Sequence, residues 1–437
     1  MAFSDLSSRI NRMLSFETPP ALGPSPFNIA NNYHEDSNPQ GIIQLGMAEN
    51  RLLGDLMLEK VRTVDLSKVS KSTLVYQDGR GMADFRRVLA EFLGDVAKAP
   101  QKLDPDKIRV CNGVLPLIAN LLCVICDEGD TILIPTPCFG GIMRIMGHHP
   151  NVKYHPVPLS NKTGCDEGEE VGLTVEQLES SYQEARQNGC RVRALFLINP
   201  LNPQGTLFTR EQVLAYLNFC KRHNLHAILD EIYLAGIYDH GNQLSSSILS
   251  IPEKDVPDLE RAHFLWGISK DFAYASSHCS VLYSHNEGVL QGVSMLSDYH
   301  TVSSLTQVAL TQILGDKEWV HGVYLPAFCR RLQEARDAVI AALDKLSVEY
   351  VRPRAGLYIW MNLVKYMGCS TSEEEGSLCR HLVSCGLHIH PSSRFYGDEP
   401  GWFRMIISAP MPELREALKR LSTGLLSYVP TATSGKP

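Results

Sequence analysis

Apolar residues recur along the chain with two distinct periods. Phe85, Val88, Leu89, Phe92, Leu93 and Val96 stand at i, i+3, i+4, i+7, i+8 and i+11, one face of an amphipathic helix. Downstream, short apolar runs alternate with helical stretches. Thr131–Pro135, Arg193–Ile198, His226–Asp230, Phe264–Ile268 and Ser280–Ser284 read as strands. Thr174 with Gln177, and Thr209 with Gln212, form capping-box pairs that open helices between them, the second running to about Asn224. Apolar strands separated by helices predict an α/β fold, a mostly parallel sheet covered on both faces. Beyond about residue 310 the pattern changes. A long amphipathic helix over roughly 329–346, strands near Tyr358–Leu363 and Phe403–Ser408, and a last helix near 412–427 predict a smaller α+β unit. Residues 1–40 are polar and broken by Pro19, Pro20, Pro24, Pro26 and Pro39, so they read as an irregular arm. The expected division is an arm (1–40), a large domain (41–310) and a small C-terminal domain (311–437) that also takes up parts of the arm.

Composition narrows the function classes. Of 437 residues, 44% are hydrophobic and 20% charged, enough to bury a large core. The net charge of −7, with no polybasic run, excludes a general nucleic-acid binder, which needs a basic footprint. No segment approaches the ~20 apolar residues that span a bilayer. The start, MAFSDLSSRINRML, has no unbroken apolar stretch, so a cytoplasmic protein away from membranes is expected. Twelve cysteines are dispersed, mostly in apolar runs, and read as reduced thiols. Cys123 and Cys126 form a C-x-x-C pair inside NLLCVICDE with no second pair nearby, which reads as core packing. His148 and His149 before Pro150 read as a solvated loop, and no metal site is expected.

Four polar signatures follow predicted strands or open a helix, and ligands of open α/β sheets bind beyond the carboxyl ends of strands. They are Asn112-Gly113, Asn199-Pro-Leu-Asn202-Pro-Gln-Gly205-Thr206, Asp230-Glu231-Ile-Tyr233 and Ser269-Lys270-Asp271. Singly, each reads as a turn or a surface charge. Together they fit pyridoxal 5'-phosphate. That cofactor needs a lysine for its covalent link, an acid against its pyridine nitrogen, and donors to its phenolate oxygen. Lys270 suits the link and then the base that moves the Cα proton, Asp230 suits the acid, and Asn202 and Tyr233 suit the donors.

At these residues the chain resembles the fold-type I pyridoxal-phosphate enzymes of the class I aminotransferase group, and within it 1-aminocyclopropane-1-carboxylate synthase. The resemblance runs over roughly 35–425. It is carried by NPQGIIQLGMAENRL, YQDGRGMADFR, PTPCFGG, INPLNPQGT, ILDEIYLAGIY, GISKD, RAGLYIWMNL and EPGWFR. It implies a large domain with a seven-stranded-type sheet, a smaller α+β domain, and a homodimer with shared active sites. It further implies that Phe139 stacks on the cofactor and that Arg404 grips the substrate α-carboxylate, a bidentate task suited to arginine. Glu49 matches a substrate-site glutamate, and the backbone amides of Val114 and Leu115 match positions that receive the phosphate.

The departures cluster at the phosphate and subunit contacts. Gly267 stands where the family usually has serine, His278 where an arginine usually holds the phosphate, and Gly79 where the partner usually supplies tyrosine. Histidine for arginine exchanges a permanent, forked charge for a weaker, pH-dependent one. Arg80 or His278 is expected to replace the lost phosphate contacts, with room near Gly79 for an unusual substrate. The implied reaction starts by removing the Cα proton of an α-amino acid, S-adenosylmethionine or a relative with a γ leaving group. γ-Elimination, ring closure or γ-substitution with a second, carbon nucleophile follows. The alternatives are an aminotransferase that makes a 2-oxo acid, and a cofactor-poor, non-catalytic homologue.

Overall fold

The computed structural model describes residues 5–15, 31–148, 150–159, 172–239 and 247–430. In chain order its strands are β1 (Ile43–Gln44), β2 (Ile108–Cys111), β3 (Thr131–Thr136), β4 (Lys153–Pro158), β5 (Val192–Ile198), β6 (His226–Asp230) and β7 (Ala262–Gly267). They continue with β8 (Ser280–Ser284), β9 (Glu349–Val351), β10 (Tyr358–Asn362), β11 (Leu387–His388), β12 (His390–Pro391) and β13 (Trp402–Ile406).

The main sheet has seven strands in the order β2-β8-β7-β6-β5-β3-β4. Its pairs are parallel from β4 through β7, and β8 runs antiparallel to both of its neighbours, β7 and β2. Alternate side chains bury both faces. Leu133, Leu195, Leu197, Leu229, Phe264 and Trp266 enter one apolar cluster, and Ile132, Ile134, Phe196, Ile198, Ile228 and Leu265 enter another. That two-sided burial is why these strands read as continuous apolar runs.

The helices predicted from pattern form where their local signals lie. The periodic run near 85–96 is the helix Ala83–Ala97. Both capping boxes close: Thr174 N donates to Gln177 Oε1 at 2.7 Å, and Thr209 N to Gln212 Oε1 at 2.9 Å. The long C-terminal helix spans Leu325–Lys345, earlier than expected, because it runs on without a break from the helical residues Lys317–Trp319 and Val320–Tyr324. β2 and β4 were not predicted. Both are edge strands, and β4 carries Pro156 and Pro158, which only an edge tolerates. His148 ends the helix Gly140–His148 rather than lying in a loop, and His149 falls outside the described residues, as do Pro19, Pro20, Pro24 and Pro26. Cys123 lies in the helix Val114–Ile125, and the thiol of Cys126, the residue that follows it, is pushed up to about 12 by burial, an inert setting.

After β8 the chain builds a four-stranded antiparallel sheet, β12-β13-β10-β9, packed by the helices Leu325–Lys345, Ser372–Ser384 and Met411–Ser427. Position 310 lies inside the helix Ser304–Gly315, so the change of sheet comes further along the chain. β1 pairs in parallel with β11, which draws residues 43–52 onto this second unit. Arg51 fixes the connection with a forked pair to Glu413, at 2.9 Å on each nitrogen. Among the described residues, no helix is long and apolar enough to cross a membrane. Nor does any group of three or more His, Cys, Asp or Glu among them suit a metal ion.

Candidate active site

The turn after β7 carries Lys270. It is a one-turn helix, Ile268–Asp271, and Asp271 anchors it. Asp271 Oδ2 accepts from Trp266 Nε1 at 2.8 Å and from Ala235 N at 2.9 Å. Lys270 Nζ donates to the Ala48 carbonyl, so the ammonium points at the segment that follows β1. Burial, reinforced by the Arg404 charge, lowers its pKa to about 8, with Glu49 and Asp230 opposing. A lysine this easily deprotonated is a nucleophile and a base near neutral pH.

Asp230 ends β6, next to the Lys270 turn. It is 5% exposed, its pKa is pushed up to about 7 by burial, and its Oδ1 has no hydrogen-bond partner. A buried carboxylate oxygen left without a donor calls for a ligand group that supplies one. Asn202 and Tyr233 meet beside it, the Asn202 amide donating to the Tyr233 hydroxyl at 3.4 Å. Burial pushes the Tyr233 phenol up, so it keeps its proton and remains a donor.

Arg404 lies on β13, paired with Trp360 of β10 and His390 of β12, and is 2% exposed. Nη1 donates to Asn202 Oδ1 at 2.9 Å, and Nη2 to the Gly46 carbonyl. Its guanidinium carbon stands 4.6 Å from the Phe395 ring and 5.4 Å from the Tyr358 ring, and Nε is buried without a partner. His390, beside it, has its pKa lowered to about 2 by burial and the Arg404 charge, so it adds no competing charge. Asn202 therefore links Tyr233 to Arg404 in one chain of contacts.

At the far end, Gly113 at φ 98° turns the chain from β2 into the helix Val114–Ile125. That conformation suits glycine. The first N–H groups of a helix have no internal partner, so those of Val114 and Leu115 are donors for an anion. Pro116 contributes none. The exposed His278 ring reaches this turn: its Nδ1 lies 3.7 Å from where a Cβ on Gly113 would sit. A Cβ on Gly267 would lie 2.6 Å from Val114 Cγ2, so the Val114 methyl fills the space a side chain at 267 would need.

The remaining expected residues are Phe139, Glu49, Arg80 and Gly79. Phe139 follows β3 with 39% of its surface open, its ring lying close to Gly141. Glu49 is held through its carbonyl, which accepts from Ser408 Oγ at 2.7 Å. The Arg80 carbonyl accepts from Val110 N at 3.0 Å, which lays its backbone along β2. The Arg80 guanidinium pairs with Asp78 at 2.7 Å and stands 3.8 Å from Asp106, at the opposite end of β2. Gly79 lines a surface cavity of about 530 Å³ with Thr73–Asp78 and Thr301–Ser304. The sequence reading missed Phe395, Tyr358 and His390. Tyr358 stands in a quoted segment, but no local pattern marks an aromatic residue as the floor under an arginine.

The orphaned Asp230 oxygen, the Asn202–Tyr233 donors and the lysine of lowered pKa fit the ring of pyridoxal phosphate, and the helix start fits an anion. Comparison with known proteins agrees. The family described as Aminotransferase class I and II matches residues 41–421. The chain is 38% identical over 388 residues to the Homo sapiens protein named "Probable inactive 1-aminocyclopropane-1-carboxylate synthase-like protein 2", covering 89% of this chain and 68% of that one. It is 33% identical to 1-aminocyclopropane-1-carboxylate synthase 7 of Arabidopsis thaliana, covering 90% and 88%. Among solved structures, the aromatic aminotransferase of Pyrococcus horikoshii superposes with a TM-score of 0.74 at 22% identity, covering 90% and 96%. Members of this family use pyridoxal phosphate. The chain thus belongs to the class I and II aminotransferase family and, within it, to the 1-aminocyclopropane-1-carboxylate synthase-like proteins.

Proposed function

We propose that the chain is a pyridoxal-phosphate enzyme acting on an α-amino acid, S-adenosylmethionine or another with a γ leaving group. It removes the Cα proton, and γ-elimination, ring closure or γ-substitution by a carbon nucleophile follows. The observation that carries this reading is the convergence of Lys270, Asp230 with its orphaned oxygen, Asn202 with Tyr233, and Arg404.

When bound, pyridoxal phosphate supplies an electron sink for the charge left at Cα. Asp230 would face its ring nitrogen, Asn202 and Tyr233 its phenolate oxygen, and Phe139 its flat face. The Val114 and Leu115 amides and His278 would hold its phosphate. Lys270 would take the covalent link and would then move the Cα proton at Nζ, a task its lowered pKa suits. Arg404 receives the α-carboxylate, and Glu49 lies beside the substrate.

A homodimer in the cytoplasm fits the exposed surface. Leu74, Val75, Tyr76 and Tyr299 are open to solvent, and none of the eleven described cysteines is in a disulfide. In that dimer, Gly79 and Arg80 would serve the partner's site. A second reading, a cofactor-poor homologue, is favoured by the missing side chain at Gly267 and by the name of the human relative.

An absorbance spectrum tests both readings. Added pyridoxal phosphate should produce a visible band, S-adenosylmethionine should perturb it, and methylthioadenosine should be released. A 2-oxo acid in place of methylthioadenosine would mean an aminotransferase. No band at high cofactor would leave the non-catalytic reading.

A further inference from the structure

Glu375, on the helix Ser372–Ser384, has no exposed surface. Its Oε1 accepts from Ser392 Oγ at 2.7 Å, Gly401 N at 2.8 Å and Ser392 N at 3.3 Å, and its Oε2 from Ser393 N at 3.3 Å. Burying a carboxyl group is costly unless donors replace its water. Here three backbone N–H groups and a hydroxyl do so. They come from the two ends of one loop, 392–401, so a single side chain clamps both.

That loop touches the proposed site on two sides. Phe395 O accepts from Cys138 N at 2.8 Å, and Tyr396 packs edge-on to Tyr154 at 5.7 Å, which ties the loop to the main sheet beside Phe139. Phe395 presents its ring to Arg404. Gly401, the other clamped end, leads directly into β13, which carries Arg404. Glu375 therefore fixes both the strand that bears the guanidinium and the ring against it.

We propose that Glu375 is a positioning residue for Arg404: it sets the direction of the guanidinium fork and so the preference of the site for ligands bearing a carboxylate. The proposal rests on the reading that Arg404 receives the α-carboxylate.

The test loads the protein with pyridoxal phosphate and follows loss of its absorbance with two reagents. Aminooxyacetate carries a carboxylate and methoxyamine does not. The wild-type protein should react faster with aminooxyacetate. Glu375→Gln turns one acceptor into a donor facing backbone N–H groups. It should reduce that preference on the order of tenfold, a misplacement effect, with the methoxyamine rate unchanged. Ser392→Ala removes one donor and should give a smaller loss of the same kind. Hydrogen exchange, read with or without cofactor, should speed up over 392–402 in Glu375→Gln and stay unchanged over 325–345. An unchanged preference in Glu375→Gln, or unchanged exchange over 392–402, overturns the proposal. No preference in the wild-type protein overturns the reading of Arg404, and the proposal with it.

Discussion

At the ring end of the proposed site, Asp230, Asn202, Tyr233 and Arg404 are all buried, and Asn202 bonds both Tyr233 and Arg404. At the phosphate end the side chains are apolar, missing or, at His278, exposed. Gly267 has none, Val114 fills its space, Leu115 is apolar, Pro116 lacks an N–H, and His278 is exposed. The chemistry of such a site lies at the ring, whereas the phosphate end decides how tightly the cofactor is held. The contrast therefore predicts a protein that retains the means of reaction but grips its cofactor weakly. Five substitutions can break or sharpen it.

The largest effect belongs to Lys270→Ala. It should remove the visible band and lower turnover by roughly 10²–10⁴-fold or more, the scale of a lost general base. If turnover persisted, the ring end would not be the reaction centre.

Asp230→Asn comes next, and its effect depends on pH. Burial raises the Asp230 pKa from 3.8 to about 7. The folded state thus favours the protonated carboxyl. The stability from this group is full below about pH 4 and is lost as pH rises through about 7. Without cofactor, Asp230→Asn should melt above the wild type at pH 8, by on the order of 2–4 kcal/mol, and near it at pH 4. With pyridoxal phosphate the order should reverse, because the carboxylate gains its partner. Melting curves at both pH values, with and without cofactor, check this. A stabilisation of Asp230→Asn independent of pH would mean that Asp230 is not held against a cost.

The two ends were not equally legible in the sequence. Lys270, Asp230 and Asn202 stand at ends of apolar runs, and the strand pattern alone brought them together. The capping boxes were legible because each involves residues three apart. β4 was hidden because Pro156 and Pro158 break a strand reading and are tolerated only at the edge. The Gly267–Val114 contact was hidden because it joins β7 to the start of a helix far back in the chain. Glu375 and Phe395 carry no periodic mark, and only the folded loop brings them to Arg404. The approach of Arg80 to Asp106, on the far side of the helix Ala83–Ala97 in sequence, was likewise outside any local pattern.

Gly267→Ser probes the phosphate end itself. A Cβ at 267 meets Val114 Cγ2 at 2.6 Å, so the single variant should lose about 1–3 kcal/mol to overpacking. Val114→Ala clears the space. The double variant should recover most of that stability and bind pyridoxal phosphate more tightly than the wild type, through the added hydroxyl. Urea unfolding and cofactor titration form a double-mutant cycle between the two positions. Additive effects would show that the two residues do not share that space.

His278→Arg should give the smallest change, because two effects oppose. Arginine restores a permanent forked charge beside the Val114 helix start, which favours a phosphate. Yet residue 278 sits at φ 43°, a left-handed conformation that histidine adopts more readily than most residues. The backbone strain should cancel part of the gain. Pyridoxal phosphate should bind tighter by about three- to tenfold, up to ~1.4 kcal/mol, with the melting temperature slightly lowered. The gain should shrink in high salt, because position 278 is exposed and the arginine's charge is screened there. Pyridoxal, which lacks the phosphate, should bind the variant and the wild type alike. Equal tightening for pyridoxal would move His278 away from the phosphate, and the weakness of that end would then rest on Gly267 and Val114 alone.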